Sequence, residues 1–139
     1  MNATVDTNVL LRLILDDEPE KFTAVSEFLS LPEAIRGIVE LQPTTVSEFV
    51  YVLRSPRRNY SREETVAALD AIVALPLRVV EGDVIRYAID LYRDVHSDWD
   101  DCVVAAYAAK RNKGRILSYD KGLRRIPGLK RFEPPVVAS

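Results

Sequence analysis

The chain predicts an α/β fold, a three-layer α/β/α sandwich around a mainly parallel sheet of four to five strands. Three observations carry this reading. Short β-rich runs alternate with stretches of helical periodicity along the 139 residues. Each connection between strands is long enough to hold a crossover helix, and such crossovers are right-handed and give parallel pairing covered by helices on both faces. The length favours one compact domain over residues 1–139.

The elements follow in order. Ala3-Thr4-Val5 is a short strand, and Asn8 to Leu15 repeats Val9, Leu10, Leu13 and Ile14 at helical spacing. Asp16-Asp17-Glu18-Pro19 opens a second helix with Phe22, Val25, Phe28 and Leu29 on one face. Ile38 to Leu41 is a second strand ended by Pro43, and Thr45 to Leu53 a helix that turns Phe49, Val50 and Leu53 inward. Ser61-Arg62-Glu63-Glu64 has capping-box spacing and starts a helix through Val66, Leu69, Ile72 and Val73. Leu77 to Val80 is the third strand. Helices over Asp83–Val95 and Asp98–Lys110 follow, the second rich in small apolar residues. Arg115 to Tyr119 is the fourth strand, Lys121 to Arg125 at most a short helix, and Arg131 to Glu133 an edge strand before Pro134-Pro135.

Composition places the chain among globular proteins, with 47% hydrophobic and 29% charged residues and no long linker-like stretch. No apolar run is long enough to span a bilayer, and the amino terminus lacks the basic-then-apolar pattern of a signal peptide. The expected location is cytoplasmic. The single cysteine, Cys102, allows no internal disulfide. Net charge is −2, yet from Lys110 to Arg131 nine Lys and Arg face one acid, Asp120. Such a segment is a solvated face or, beside a metal, an attractor of phosphates.

Carboxylates stand where a folded chain seldom places bare negative charge: Asp6 and Asp120 just past strands, Glu48 in a helix, and Asp98, Asp100 and Asp101 at a helix start. Acids at the carboxyl ends of parallel strands lie on the edge where open α/β sheets bind ligands. Ordinary explanations exist for several. Thr45-Val46-Ser47-Glu48 and Ser97-Asp98-Trp99-Asp100 have capping-box spacing, and Asp120-Lys121-Gly122 suits a turn. Asp101 sits one turn beyond Asp98 with less capping to do. Asp6 leads from a strand expected to be central, where an unpaired buried carboxylate costs several kcal/mol unless a cation or donors satisfy it. Helix-capping by Asp6 or Asn8 is the competing account.

Other chemistries fail on inventory. One histidine, His96, cannot build a paired-histidine acid–base site, and it reads as a loop residue ahead of the acidic helix. Cys102 has no histidine beside it and is expected to be buried packing. No glycine-rich phosphate loop follows a strand.

Asp6-Thr7-Asn8-Val9-Leu10, Thr45-Val46-Ser47-Glu48-Phe49, Asp98-Trp99-Asp100-Asp101-Cys102-Val103-Val104-Ala105-Ala106 and Ser118-Tyr119-Asp120-Lys121-Gly122-Leu123 together resemble the successive acidic motifs of PIN-domain ribonucleases, above all VapC-type toxins. The resemblance runs through essentially the whole chain. It implies a PIN-like fold and a metal-dependent endoribonuclease, with Asp6, Glu48, Asp101 and Asp120 as the catalytic, metal-holding acids and Asp98 as a further metal acid. Hard Mg²⁺ or Mn²⁺ suits such oxygen donors and keeps open positions for substrate phosphate. Thr7, Asn8 and Ser118 are candidate hydrogen-bonding partners of these acids.

The expected partners are an RNA substrate, a cognate antitoxin protein and a second copy of the chain as a homodimer. Leu10 to Leu15 and Phe22 to Leu29 offer more apolar positions than one sheet face needs, and the surplus suits a partner helix or a dimer contact. Tyr51, Tyr60, Tyr87 and Trp99 are either base-stacking or core residues. The alternatives are a catalytically silent RNA- or protein-binding module, or a DNA nuclease or phosphohydrolase with the same acids.

Overall fold

A computed structural model describes residues 1–15 and 17–135. Asp16, in the expected opening of the second helix, lies outside the described residues. The chain divides into two compact units, Met1–Gly82 and Asp83–Ser139.

In the first unit, strands β1 (Ala3–Thr4), β2 (Val39–Leu41) and β3 (Arg78–Val79) form a three-stranded parallel sheet in that order. β1 is therefore an edge of this sheet and not its centre. Helices α1 (Thr7–Ile14), α2 (Pro19–Ser30), α3 (Glu33–Arg36), α4 (Pro43–Arg54) and α5 (Arg62–Val73) complete the unit. α1 packs on α2 and α4, and α4 on α5. The apolar spacing of α4 and α5 buries Val46, Phe49, Leu53, Leu69 and Ile72, much as the periodicity predicts. Ser61 caps α5 in a complete capping box with Glu64.

α2 departs from expectation. It buries none of its residues, and Phe22 and Phe28 stand 40% and 44% exposed. Its apolar face lines a groove of about 390 Å³ with Val9, Leu13 and Val39. The four-residue α3 is too short to leave a periodic signature. Its last residue, Arg36, is buried because its guanidinium donates to the carbonyls of Leu31, Gly37 and Pro76.

In the second unit, α6 (Gly82–Asp94) and α7 (Trp99–Arg111) precede a parallel pair, β4 (Arg115–Leu117) and β5 (Lys130–Phe132), with a 3₁₀ turn (Lys121–Arg125) between them. Val84, Ile85, Ala88, Cys102, Ala105 and Ala106 are fully buried, so the small residues of α7 form a close-packed face. Trp99 meets Tyr92 edge-on at 5.6 Å, which makes it a core residue. Gly114 has φ 83°, and a Cβ there would come within 2.3 Å of the Gly128 carbonyl oxygen. That glycine lets the turn after α7 close onto β5, where Lys130 N–H donates to Gly114 O at 2.7 Å. Among the described residues, no helix is long and apolar enough to cross a membrane.

Candidate metal centre

Asp6 follows β1 and is the N-cap of α1, its Oδ1 accepting from Thr7 N–H at 2.9 Å. The capping account of Asp6 is thus correct in geometry. Its side chain is exposed and not buried, so the cost of an unpaired buried carboxylate does not arise. What sets Asp6 apart is its neighbour. Thr7 is only 2% exposed, and its hydroxyl donates to Glu48 Oε2 at 3.0 Å across forty-one positions of sequence. One threonine thereby ties the strand-end acid to the acid of α4.

Glu48 has lost its expected structural duty. The capping box at Thr45 requires α4 to begin there, but Pro43 occupies the first turn and Gln42 is the N-cap. Glu48 then falls in the second turn, past the reach of the orphan N–H groups. Its recorded partner is Thr7.

In the second unit Asp98, and not Ser97, is the N-cap of α7, accepting from Asp101 N–H at 3.0 Å. Asp101 is half-buried, and its Oδ2 lies 2.9 Å from His96 Nε2. An ionised carboxylate only accepts, so His96 is the donor. The loop reading of His96 missed this contact, which spans five residues across a helix start and follows no helical repeat. Asp120 caps the 3₁₀ turn by accepting from Gly122 N–H at 2.8 Å, while its own N–H donates to Ser118 Oγ at 3.0 Å. Of the candidate supporting groups, Thr7 and Ser118 contact site acids. Asn8 is instead part of the lining of a cleft with Arg12, Glu18 and Lys21.

The second oxygen of every one of these carboxylates is left over. Asp6 and Asp98 each engage one oxygen with a backbone N–H, as Asp120 does, while Glu48 engages one with Thr7 and Asp101 one with His96. Among the described residues no other hydrogen bond reaches them. Nor, among those residues, do three His, Cys, Asp or Glu side chains gather closely enough to hold a metal ion. The acids come as Asp6 with Glu48, Asp98 with Asp101, and Asp120. Carboxylates fixed by one oxygen and open at the other fit a hard cation of the Mg²⁺ type, which takes few protein ligands and fills its octahedron with water and phosphate.

A search of curated proteins finds no match. A solved structure, VapBC2 from Rickettsia felis bound to a DNA fragment from their promoter, aligns over 96% of this chain and 98% of its own, with 14% identity and a TM-score of 0.39. The PIN domain family model matches residues 3–129, a span that includes the acids above. The chain belongs to the PIN domain family.

Proposed function

We propose that this PIN domain is a metal-dependent endoribonuclease that cleaves RNA phosphodiester bonds, and that it is the toxin of a type II toxin–antitoxin pair. PIN domains are generally nucleases that use divalent metal ions. The observation that carries the reading here is Glu48: an acid with no capping work, held by a buried threonine that also contacts Asp6. Structural convenience explains Asp98 and Asp120 well, but not this arrangement.

By the motif resemblance, Asp6, Glu48, Asp101 and Asp120 are the acids that would hold Mg²⁺ or Mn²⁺, with Asp98 assisting. When bound, such an ion neutralises charge at the scissile phosphate and makes a water more acidic. The chain's own groups do the rest. Thr7 fixes the Glu48 carboxylate through its hydroxyl and the Asp6 carboxylate through its N–H. His96 orients Asp101, and such outer partners matter nearly as much as ligands. The cations between Lys110 and Arg131 draw in the phosphate backbone.

The motif resemblance supports the toxin role, a cognate antitoxin, a homodimer and a cytoplasmic setting. The exposed apolar groove between α1 and α2 offers a surface of the right chemistry for a protein partner. The test incubates the chain with tRNAs, structured RNAs and single-stranded DNA in Mg²⁺, Mn²⁺ or EDTA, beside Asp6→Asn and Asp101→Asn. Metal-dependent RNA cleavage lost in both variants is expected. Cleavage that survives EDTA, or that is confined to DNA, overturns the reading. For the toxin role, a small protein encoded alongside should bind the chain and block cleavage.

A further inference from the structure

We infer that the outer face of the β4–β5 pair is a track for single-stranded RNA that leads from a basic cleft to Asp120. The inference rests on the nuclease reading for its purpose, but not for its physical basis.

In the parallel register Arg115 stands beside Lys130 and Leu117 beside Phe132. Side chains alternate along strands, so these four share a face while Ile116, 7% exposed, and Arg131 turn to the other. The shared face is open. Leu117 is 60% exposed, and Tyr119, two residues on, is 68% exposed. Phe132 is half-buried, whereas Leu117 and Tyr119 stand uncovered side by side.

Charge surrounds this apolar strip. The Arg115 guanidinium lies over the Phe132 ring at 4.9 Å from its centre. Beside it a cleft of about 400 Å³ is lined by Arg111, Asn112, Lys113, Arg115 and Phe132, with no carboxylate among them. Arg111 is committed to Asp83. Lys113, Arg115 and Lys130 form no ion pair with any described residue. Unpaired cations at one end and the exposed Leu117 and Tyr119 side chains beyond them match a chain that alternates phosphates with flat bases. A duplex hides its bases, so the match is to a single strand.

The track has a direction. β4 begins at Arg115 and leads through Ser118 and Tyr119 to Asp120, a run of at most about 18 Å of backbone, or a few nucleotides. Phosphates held by Lys113, Arg115 and Lys130 would place the following bases on Leu117 and Tyr119, with the next linkage at the acid.

The test uses the full chain in EDTA, a short fluorescently labelled single-stranded RNA, a duplex of the same sequence and a polyglutamate competitor, followed by cleavage assays in Mg²⁺. The single strand should bind more tightly than the duplex. Arg115→Gln with Lys130→Gln should weaken binding by roughly 30- to 100-fold at about 50 mM salt and lower the slope of log affinity against log salt by about 1.4. Tyr119→Ala should cost about 5- to 100-fold with the slope unchanged. Arg115→Lys, which keeps the charge, should keep the slope, and unchanged melting of each variant separates binding from folding. Equal binding of duplex, equal displacement by polyglutamate, or wild-type affinity in the double variant overturns the track. If RNA binds as expected and Mg²⁺ brings no cleavage, the nuclease reading fails and the track stands. If cleavage is normal in the double variant, the reverse holds.

Discussion

The Thr7 hydroxyl donates to Glu48 Oε2 at 3.0 Å, joining the first residue of α1 to the second turn of α4. Because Thr7 is buried and Glu48 is exposed, the bond places a charged group from a fixed point rather than stabilising a core. Thr7→Val keeps the shape and removes the donor. Its stability should fall by no more than about 1 kcal/mol. RNA cleavage should fall about 10- to 100-fold, as for the loss of an outer-sphere partner. Thr7→Ser should restore most activity. Melting curves and single-turnover cleavage together check this, and wild-type cleavage by Thr7→Val would remove Thr7 from the site.

At Asp6 the capping and charge roles are separable. Asn caps a helix as well as Asp does, whereas Ala costs about 1 kcal/mol. Asp6→Asn should therefore melt near the wild-type temperature and Asp6→Ala below it. Both should lose cleavage by a thousandfold or more, since a metal ligand acts through several kcal/mol of charge stabilisation. Calorimetric titration with Mn²⁺ should show weakened binding in both. Activity that follows melting temperature would mean that Asp6 is only a cap.

Asp83 provides a pH signature apart from the site acids. Its two oxygens accept from both terminal nitrogens of Arg111 at 2.8 and 2.9 Å. That hydrogen bonding lowers its pKa from 3.8 to about 2. A depressed folded-state pKa means the unfolded chain takes up the proton first. The stabilisation is then complete above about pH 4 and is lost as pH falls toward 2. Urea melts of wild type and Asp83→Asn across that window should converge at the acid end, and parallel curves would rule out the linkage.

Ser61→Ala provides a control. It removes the α5 capping box and should cost about 1 kcal/mol without altering cleavage per folded molecule. Glu64, whose pKa is lowered first by the Ser61 backbone N–H and next by the Ser61 hydroxyl, keeps the first and loses the second in this variant and should titrate part of the way back toward its ordinary value. Carboxyl chemical shifts against pH report it directly.

Local rules made most elements legible. Ser61 to Glu64 announces a helix because both halves of its cap lie within four residues, and the structure forms both bonds. The same rule misplaced the start of α4, because Thr45 with Glu48 has the right spacing while Pro43, preset for the first helical turn, moves the start upstream. That small shift turned Glu48 from the best explained acid into the least. The exposure of Asp6 was not legible, since what covers a residue past a strand end is set by packing over long range. The contact of His96 with Asp101 and the open face of β4–β5 were hidden for a related reason. Each depends on where a turn directs a side chain, and no periodicity encodes that.

Cys102 is fully buried and directly follows Asp101 in α7. As the sole thiol of the chain, it is a native reporter. An alkylating reagent can reach it only when α7 opens, so its modification rate measures the opening free energy of the very helix that bears Asp101 and Asp98. A divalent ion that binds through those acids must slow the reaction by mass action, and Asp101→Asn should remove that slowing. Occupancy of the acids on α7 can thus be followed in the native sequence, without RNA and without turnover.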